Sequence, residues 1–223
     1  MSETDEIKRR YEDRKSSTRV LSAQQNKTYG NFILEEREKV YKNVLKNKFD
    51  DFSNLKILEI GAGAGGNLDF FQKLGIPWNN IYANELLEDR LKKLMEDFRQ
   101  INIIPGDALE IDDTNKYDII FQSTVFTSIL DKEFKSKLAQ KMRILLKDDG
   151  MILWYDFIYN NPSNPDVKGV SVKEIYKLFP SARQIDIKKV TLAPPIGRRV
   201  GKFYTIFNSL KFLRSHVVAA ITF

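Results

Sequence analysis

Acidic and glycine residues follow three successive apolar runs in the middle of the chain. Glu59 precedes the glycine-rich stretch GAGAG at residues 61–65, Glu85 closes the run IYANE, and Asp107 closes NIIPGD. Glycines allow a tight turn that brings backbone N–H groups against a ligand at a helix N-terminus. Because ligands of open α/β sheets bind at the carboxyl ends of the strands, these residues predict one binding site.

Two cofactor classes fit the glycine stretch. Gly61, Gly63 and Gly66 match the dinucleotide fingerprint, with Glu85 at roughly the distance of a ribose-binding acid. Glu59 favours the other class, because an anion beside a pyrophosphate is unfavourable whereas a cationic sulfonium ligand tolerates it. The loop alone does not separate the two.

The surrounding pattern predicts an α/β fold. From Leu55 onward, short apolar runs alternate with helical stretches, which indicates a doubly wound, mostly parallel sheet. RQIDIKKVTLA and HVVAAITF predict a sixth and a last strand, with an inserted amphipathic helix between them. Residues 1–48 predict a helical cap and 49–223 the binding domain, which together form one structural domain.

Residues 55–157, with E-x-G-x-G-x-G at 59–65, resemble the class I S-adenosylmethionine-dependent methyltransferases. The resemblance implies a seven-stranded Rossmann-like sheet with an antiparallel last strand. It also implies S-adenosyl-L-methionine as the cofactor and S-adenosyl-L-homocysteine as the product. The cofactor-binding residues it implies are Glu59, Gly61, Ala62, Gly63, Gly65, Glu85, Leu86, Asp107, Ala108, Gln122 and Ser123.

The same resemblance assigns roles within this set. The glycine loop packs against the methionine part and the sugar, Glu85 accepts hydrogen bonds from the ribose, and Asp107 and Ala108 lie at the adenine. Gln122 and Ser123 line the methionine end. The segments TVFTSILD (124–131) and WYDF-YNNP (154–162) are similar to those of small bacterial methyltransferases whose acceptors are mostly unassigned.

Residues late in the chain are candidates for acceptor chemistry. Asp156 and His216 are candidate general bases, although each also suits a structural role. Tyr155, Tyr159, Asn160, Arg198 and Arg199 are candidate acceptor-binding residues.

The segment 193–215 predicts a lid over the acceptor. The alternatives are a solvated basic helix whose apolar stripe packs on the core, and a peripheral membrane contact. The members of that stripe are Phe203, Ile206, Phe207, Leu210 and Leu213.

Composition narrows the function. The chain of 223 residues has a net charge of +6, and residues 183–216 hold eight Lys or Arg against one acid, which favours an anionic acceptor. With no cysteine and one histidine, disulfides, thiolate zinc sites and histidine-rich metal sites are excluded, and we expect no metal. A charged N-terminal segment and the lack of a long apolar run predict a cytoplasmic protein.

The preferred function is therefore methyl transfer to a small or carbohydrate-like acceptor, with O-methylation favoured. An RNA methyltransferase is the main alternative, although no RNA-binding module is visible and the fourth strand ends in FQSTVF rather than Asn/Asp-Pro-Pro-aromatic. A nicotinamide-dependent oxidoreductase and a non-catalytic cofactor-binding protein are further alternatives. The sequence indicates no obligate protein partner.

Overall fold

A computed structural model of the protein describes residues 2–16, 23–161 and 164–223. Residues 17–22 of the predicted cap and Pro162 of the WYDF-YNNP segment lie outside the described residues. Seven strands form one sheet: β1 (Ile57–Ile60), β2 (Ile81–Glu85), β3 (Asn102–Pro105), β4 (Tyr117–Ser123), β5 (Leu146–Phe157), β6 (Gln184–Leu192) and β7 (Arg214–Thr222).

The strand order is β3-β2-β1-β4-β5-β7-β6. Strands β1 to β5 pair in parallel, and β7 runs antiparallel to both of its neighbours. The predicted fold class is confirmed. Because the chain leaves β1 in one direction along the sheet and resumes at β4 in the other, a crevice opens at the carboxyl ends of these two strands.

Helices cover both faces of the sheet. They are α1 (Glu3–Ser16), α2 (Ala23–Lys46), α3 (Leu68–Lys73), α4 (Glu88–Asp97), α5 (Lys132–Leu145), α6 (Val172–Leu178), α7 (Pro194–Val200) and α8 (Tyr204–Asn208). Side chains of α2, α3 and α4 share one apolar core with the sheet, and those of α5 and α6 share the other. Along β5, Trp154 enters one core and Leu153 the other, since neighbouring side chains of a strand point to opposite faces.

The sequence sets the ends of the covering helices. Asp131 caps α5 by accepting a hydrogen bond from the Phe134 N–H at 2.7 Å, and Ser171 caps α6 by accepting one from the Glu174 N–H at 3.2 Å. In α5 the buried Leu138, Met142 and Leu145 recur at helical spacing, so one face of the helix covers the sheet.

The two N-terminal helices differ in position. In α2, Tyr41 and Leu45 are buried in the same core as Phe71, so this helix forms part of the layer on the sheet. In α1, Ile7 packs on the opposite core, and Glu3 accepts a hydrogen bond from the Leu130 N–H, beyond the carboxyl end of β4. Residue 48 therefore does not mark a break in the core.

An inserted helical segment lies between β6 and β7 as predicted, but it is not one amphipathic helix. Gly201, with φ +48°, separates α7 from α8, and Leu210 is extended. The buried side chains of α8 are Tyr204 and Asn208, whereas Phe203 and Ile206 are exposed. The alternative in which the whole stripe packs on the core is therefore wrong, because this break in the helix turns a different set of side chains inward. Of the stripe, Leu213 alone packs, partly buried, against the small cluster around Leu192. Within the described residues, no helix is both long and apolar enough to cross a membrane.

Candidate active site

The glycine loop turns sharply between β1 and α3. Gly61, Gly63 and Gly65 all have positive φ angles, of +65°, +61° and +87°. A Cβ atom on Gly61 would lie 2.6 Å from the Val125 side chain, so this position requires glycine for space as well as for conformation. The loop is tied to β2 by the Ala62 N–H, which donates to the Asn84 carbonyl at 2.8 Å.

Two of the predicted carboxylates are held by backbone N–H groups. Buried Glu85 accepts hydrogen bonds from the Gly63 N–H at 2.7 Å and the Leu87 N–H at 2.8 Å. Asp107 accepts one from the Leu109 N–H at 2.9 Å, and its other oxygen accepts one from the Thr4 hydroxyl at 2.6 Å. Their geometry is therefore fixed without a ligand.

The third carboxylate, Glu59, is buried beneath the loop. Its Oε1 accepts a hydrogen bond from the Asn67 amide at 2.6 Å, and Asn67 in turn accepts one from Arg37 at 2.9 Å. Its Oε2 has no hydrogen-bond partner within the described part of the chain. Burial raises the pKa of Glu59 to about 8, although Asn67 and Arg37 oppose the shift.

A cavity of about 120 Å³ lies at the carboxyl ends of β1, β2 and β4, and we call it the cofactor cavity. Its walls include Gly61, Glu85, Leu86, Asp107, Ala108 and Ser123 from the predicted set. The other members, Glu59, Ala62, Gly63, Gly65 and Gln122, are not in its lining. Gln122 lies behind the wall, where it holds the Val125 N–H and the Tyr155 carbonyl.

Helix α1, part of the predicted helical cap, supplies wall residues that sequence reasoning did not identify. Thr4, Ile7 and Tyr11 line the cofactor cavity. The Tyr11 and Ser128 hydroxyls are hydrogen-bonded at 3.1 Å, and Arg10, paired with Glu3 at 2.7 Å, donates to the Ser128 carbonyl. The TVFTSILD segment is thus the surface that receives α1.

A second cavity, of about 650 Å³, adjoins the first, and we call it the acceptor cavity. Tyr11, Thr124 and Ser128 line both cavities, so the two meet at the end of β4. Thr124 has φ +60°, a strained angle for a non-glycine residue at this junction. Further lining residues are Thr127, Tyr159, Asn160, Asn164, Pro194, Pro195, Arg198, Ser215 and His216.

The acceptor residues predicted from sequence occupy different positions. Tyr159, Asn160 and Arg198 line the acceptor cavity, whereas Arg199 is exposed and is not part of the lining. Tyr155 is buried, and its hydroxyl bonds to that of Thr191 at 3.0 Å. Tyr155 therefore lies behind the wall of the acceptor cavity, where its ring stacks on that of His216 with the ring centres 5.2 Å apart.

Burial shifts the pKa values of the two candidate bases in opposite directions. His216 lines the acceptor cavity, its Nδ1 lies 2.9 Å from the Ser215 hydroxyl, and burial lowers its pKa to about 4, which leaves the imidazole neutral at physiological pH. Asp156 is fully buried and outside the lining, and burial raises its pKa to about 7. Thr127, which lines the cavity, donates a hydrogen bond to Asp156 at 2.6 Å.

Arg37 of α2 is the second feature that sequence reasoning missed. It bonds to Asn67, lies 5.7 Å from the centre of the Tyr155 ring, and lowers the pKa of both Glu59 and His216. A cation at helical spacing from Ile33 and Tyr41, on the apolar face of the helix, was the available signal.

Comparison with known proteins identifies the fold. No protein-family model matches the sequence, and no curated protein matches it. An S-adenosylmethionine-dependent methyltransferase structure from Archaeoglobus fulgidus superposes with a TM-score of 0.59 at 18% identity, covering 86% of this chain and 98% of that one. A TehB-like methyltransferase from Corynebacterium glutamicum gives 0.55 at 12% identity, covering 98% and 97%.

Phosphoethanolamine N-methyltransferase 2 of Haemonchus contortus, in complex with phosphomonomethylethanolamine and S-adenosylhomocysteine, gives a TM-score of 0.57 at 15% identity. That match covers 81% of this chain and 51% of the other. At these identities the likeness concerns the fold. The chain has the class I fold of S-adenosylmethionine-dependent methyltransferases.

Proposed function

We propose that the protein transfers a methyl group from S-adenosyl-L-methionine to a small polar acceptor. The observation that carries the proposal is the meeting of the two cavities at Tyr11, Thr124 and Ser128. Methyl transfer by in-line displacement requires the donor and the acceptor to approach each other at one point. Two adjoining cavities that share wall residues at the end of β4 meet this requirement.

The residues of the first cavity suit this cofactor. Glu85 and Asp107 each retain acceptor capacity beside their hydrogen bonds, for the ribose hydroxyls and the adenine amine. The buried Oε2 of Glu59 beneath the loop has no hydrogen-bond partner among the described residues, which leaves one acceptor for a donor group of the ligand, such as the amino group of S-adenosylmethionine. When bound, S-adenosylmethionine supplies an electrophilic methyl group.

For the acceptor we propose a small or carbohydrate-like molecule with an anionic group, methylated on oxygen. Asn160 and Tyr159 offer hydrogen bonds in the second cavity, and the Arg198 guanidinium suits a phosphate or a carboxylate. The Haemonchus enzyme, which has the same fold, is crystallised with a phosphorylated molecule. RNA is the alternative acceptor.

O-methylation requires that the hydroxyl proton leave as the new bond forms. We propose that the neutral His216, on the cavity wall, accepts this proton. Asp156 acts as a positioning residue, because its contact with the acceptor side passes through the Thr127 hydroxyl.

Calorimetric titration with S-adenosylmethionine, S-adenosylhomocysteine and NADH tests the cofactor assignment. We expect the first two to bind and NADH not to bind. Asp107→Ala should lower the affinity for S-adenosylmethionine at least about tenfold, because a hydrogen bond to a charged group is lost. The matched control is Asp112→Ala, which removes an exposed acid outside the cavity lining. Binding of NADH alone would refute the methyltransferase assignment.

A further inference from the structure

Five large apolar side chains are exposed on the segment that joins β6 to β7. Phe203, Ile206, Phe207, Leu210 and Phe212 are between 39% and 74% exposed, and we call them the apolar patch. They fall within ten consecutive residues. Large exposed apolar side chains concentrated in one short segment indicate an interaction surface rather than singly scattered surface residues.

Helix α8, which carries part of the patch, is held against α2 by its inner side chains. Tyr204 and Asn208, on the inner side of α8, both donate hydrogen bonds to Glu36 of α2, at 2.8 Å and 2.7 Å. The Tyr204 ring also stacks on Phe32 at 4.9 Å with an interplanar angle of 1°. Glu36 and Phe32 therefore hold the inner side of α8 against α2, while the side chains of the apolar patch are exposed.

The charged residues on the segment that carries the patch are all cationic. Arg198, Arg199, Lys202 and Lys211 are exposed on the same segment, and the sequence has no acidic residue after Asp186. Exposed apolar side chains and cations on one short segment match an anionic lipid surface, in which rings and aliphatic groups enter the acyl boundary and ammonium and guanidinium groups contact phosphates.

From this combination we propose that the apolar patch docks the protein on the surface of an anionic phospholipid bilayer. The other occupants fit less well. A two-fold dimer through the patch would place the same cations opposite one another. RNA accounts for the charges and the rings, but not for the exposed aliphatic Ile206 and Leu210, which offer no stacking surface to a base.

The docking surface is continuous with the acceptor cavity. Helix α7, which immediately precedes the patch, supplies Pro194, Pro195 and Arg198 to the cavity wall. A bilayer beneath the patch would therefore lie beside the cavity. If the proposed methyl transfer is correct, the acceptor is a polar group carried by a membrane lipid, and this extension rests on that function.

Vesicle flotation tests the docking without any cofactor, so its failure is distinct from a failure of the methyltransferase assignment. The probes are vesicles of phosphatidylcholine alone and vesicles in which about one third of the lipid is phosphatidylglycerol. We expect the protein to float with the anionic vesicles only. Raised salt should weaken the binding, because the cationic component is screened.

Two double variants separate the two components of the surface. Phe203→Ser with Phe212→Ser, and Lys202→Gln with Lys211→Gln, should each weaken vesicle binding at least about tenfold. The matched controls are Met95→Ser with Ile144→Ser and Lys42→Gln with Lys46→Gln, which alter exposed side chains on other helices and should bind like the wild type. Circular dichroism should show all four variants folded, since every altered side chain is exposed.

The opposing outcomes are equally specific. Wild-type protein that floats with neither vesicle overturns the proposal. So does equal loss of binding in the control variants, which would indicate a non-specific charge effect. A dimer seen by analytical ultracentrifugation and abolished by Phe203→Ser with Phe212→Ser would instead assign the patch to a second copy of the chain. Binding of single-stranded RNA but not of vesicles would assign it to nucleic acid.

Discussion

The two cavities are built by different means. The cofactor cavity, of about 120 Å³, is formed at strand ends, where Glu85 and Asp107 are held by backbone N–H groups. The acceptor cavity, of about 650 Å³, is formed by the loop after β5, by α7 and by the start of β7. The carboxylates of the first cavity are held at strand ends of the sheet, while much of the second cavity is built from connections that can vary without disturbing the sheet. Its specificity is therefore carried by local segments.

The largest effect should come from adding a methyl group at the glycine loop. Gly61→Ala combines a positive φ with a Cβ atom 2.6 Å from the Val125 side chain, whereas Gly63→Ala meets no heavy atom within 4 Å. We expect the free energy of unfolding to fall by about 3 kcal/mol for Gly61→Ala and by about 1 kcal/mol for Gly63→Ala. Urea unfolding measures both, and equal losses would mean that the contact with Val125 is unimportant.

A smaller effect is expected at the carboxylate that ties the loop to β2. Glu85→Gln replaces one of two accepting oxygens by an amide that only donates, so either the Gly63 or the Leu87 N–H loses its partner. The free energy of unfolding should fall by about 2 kcal/mol. Exposed Glu88→Gln is the control, and it should change stability by less than about 0.5 kcal/mol. Similar losses in the two variants would argue against a fixed Glu85.

Glu59 should make stability depend on pH. Its folded pKa of about 8 exceeds the ordinary value of 4.5, so the folded protein binds the extra proton between these values. This contribution is complete below about pH 4.5 and is lost as the pH rises through about 8. His216, with its lowered pKa, acts in the opposite sense, but only below its ordinary value of 6.5.

The pH range in which Glu59 can be tested without a contribution from His216 therefore lies above 6.5. From about pH 7 to 8.5 the unfolding temperature should fall by a few degrees, and Glu59→Gln should reduce the fall, since its side chain does not titrate. Asp156, whose pKa is about 7, contributes in the same sense at the lower end of the window, which makes Asp156→Asn the comparison variant. Unaltered pH dependence in Glu59→Gln would show that Glu59 is ionised in the folded protein throughout.

The sequence predicts the strand-end part of the site better than the parts supplied by α1 and by the inserted segment. Parallel strands place Glu59, Glu85 and Asp107 at one edge of the sheet, so order along the chain was enough to bring them together. Helix α1 contributes through the contact of Thr4 with Asp107, 103 residues away in sequence, and no local pattern indicates such a pairing. The inserted segment was misjudged because helical spacing reports a stripe, but not which side of a broken helix faces the core.

The smallest expected change in cofactor binding separates the roles of the two cavities most directly. Arg198 lines the acceptor cavity but not the cofactor cavity, so Arg198→Gln should leave the affinity for S-adenosylmethionine within about twofold of the wild type. Transfer to an anionic acceptor should fall at least about tenfold through a higher KM, because a charged hydrogen bond to the acceptor is lost. Calorimetry and a methyl-transfer assay on the same variant measure the two quantities. A matching loss of cofactor affinity would mean that α7 acts on both cavities, so that acceptor recognition could not change independently of the cofactor site.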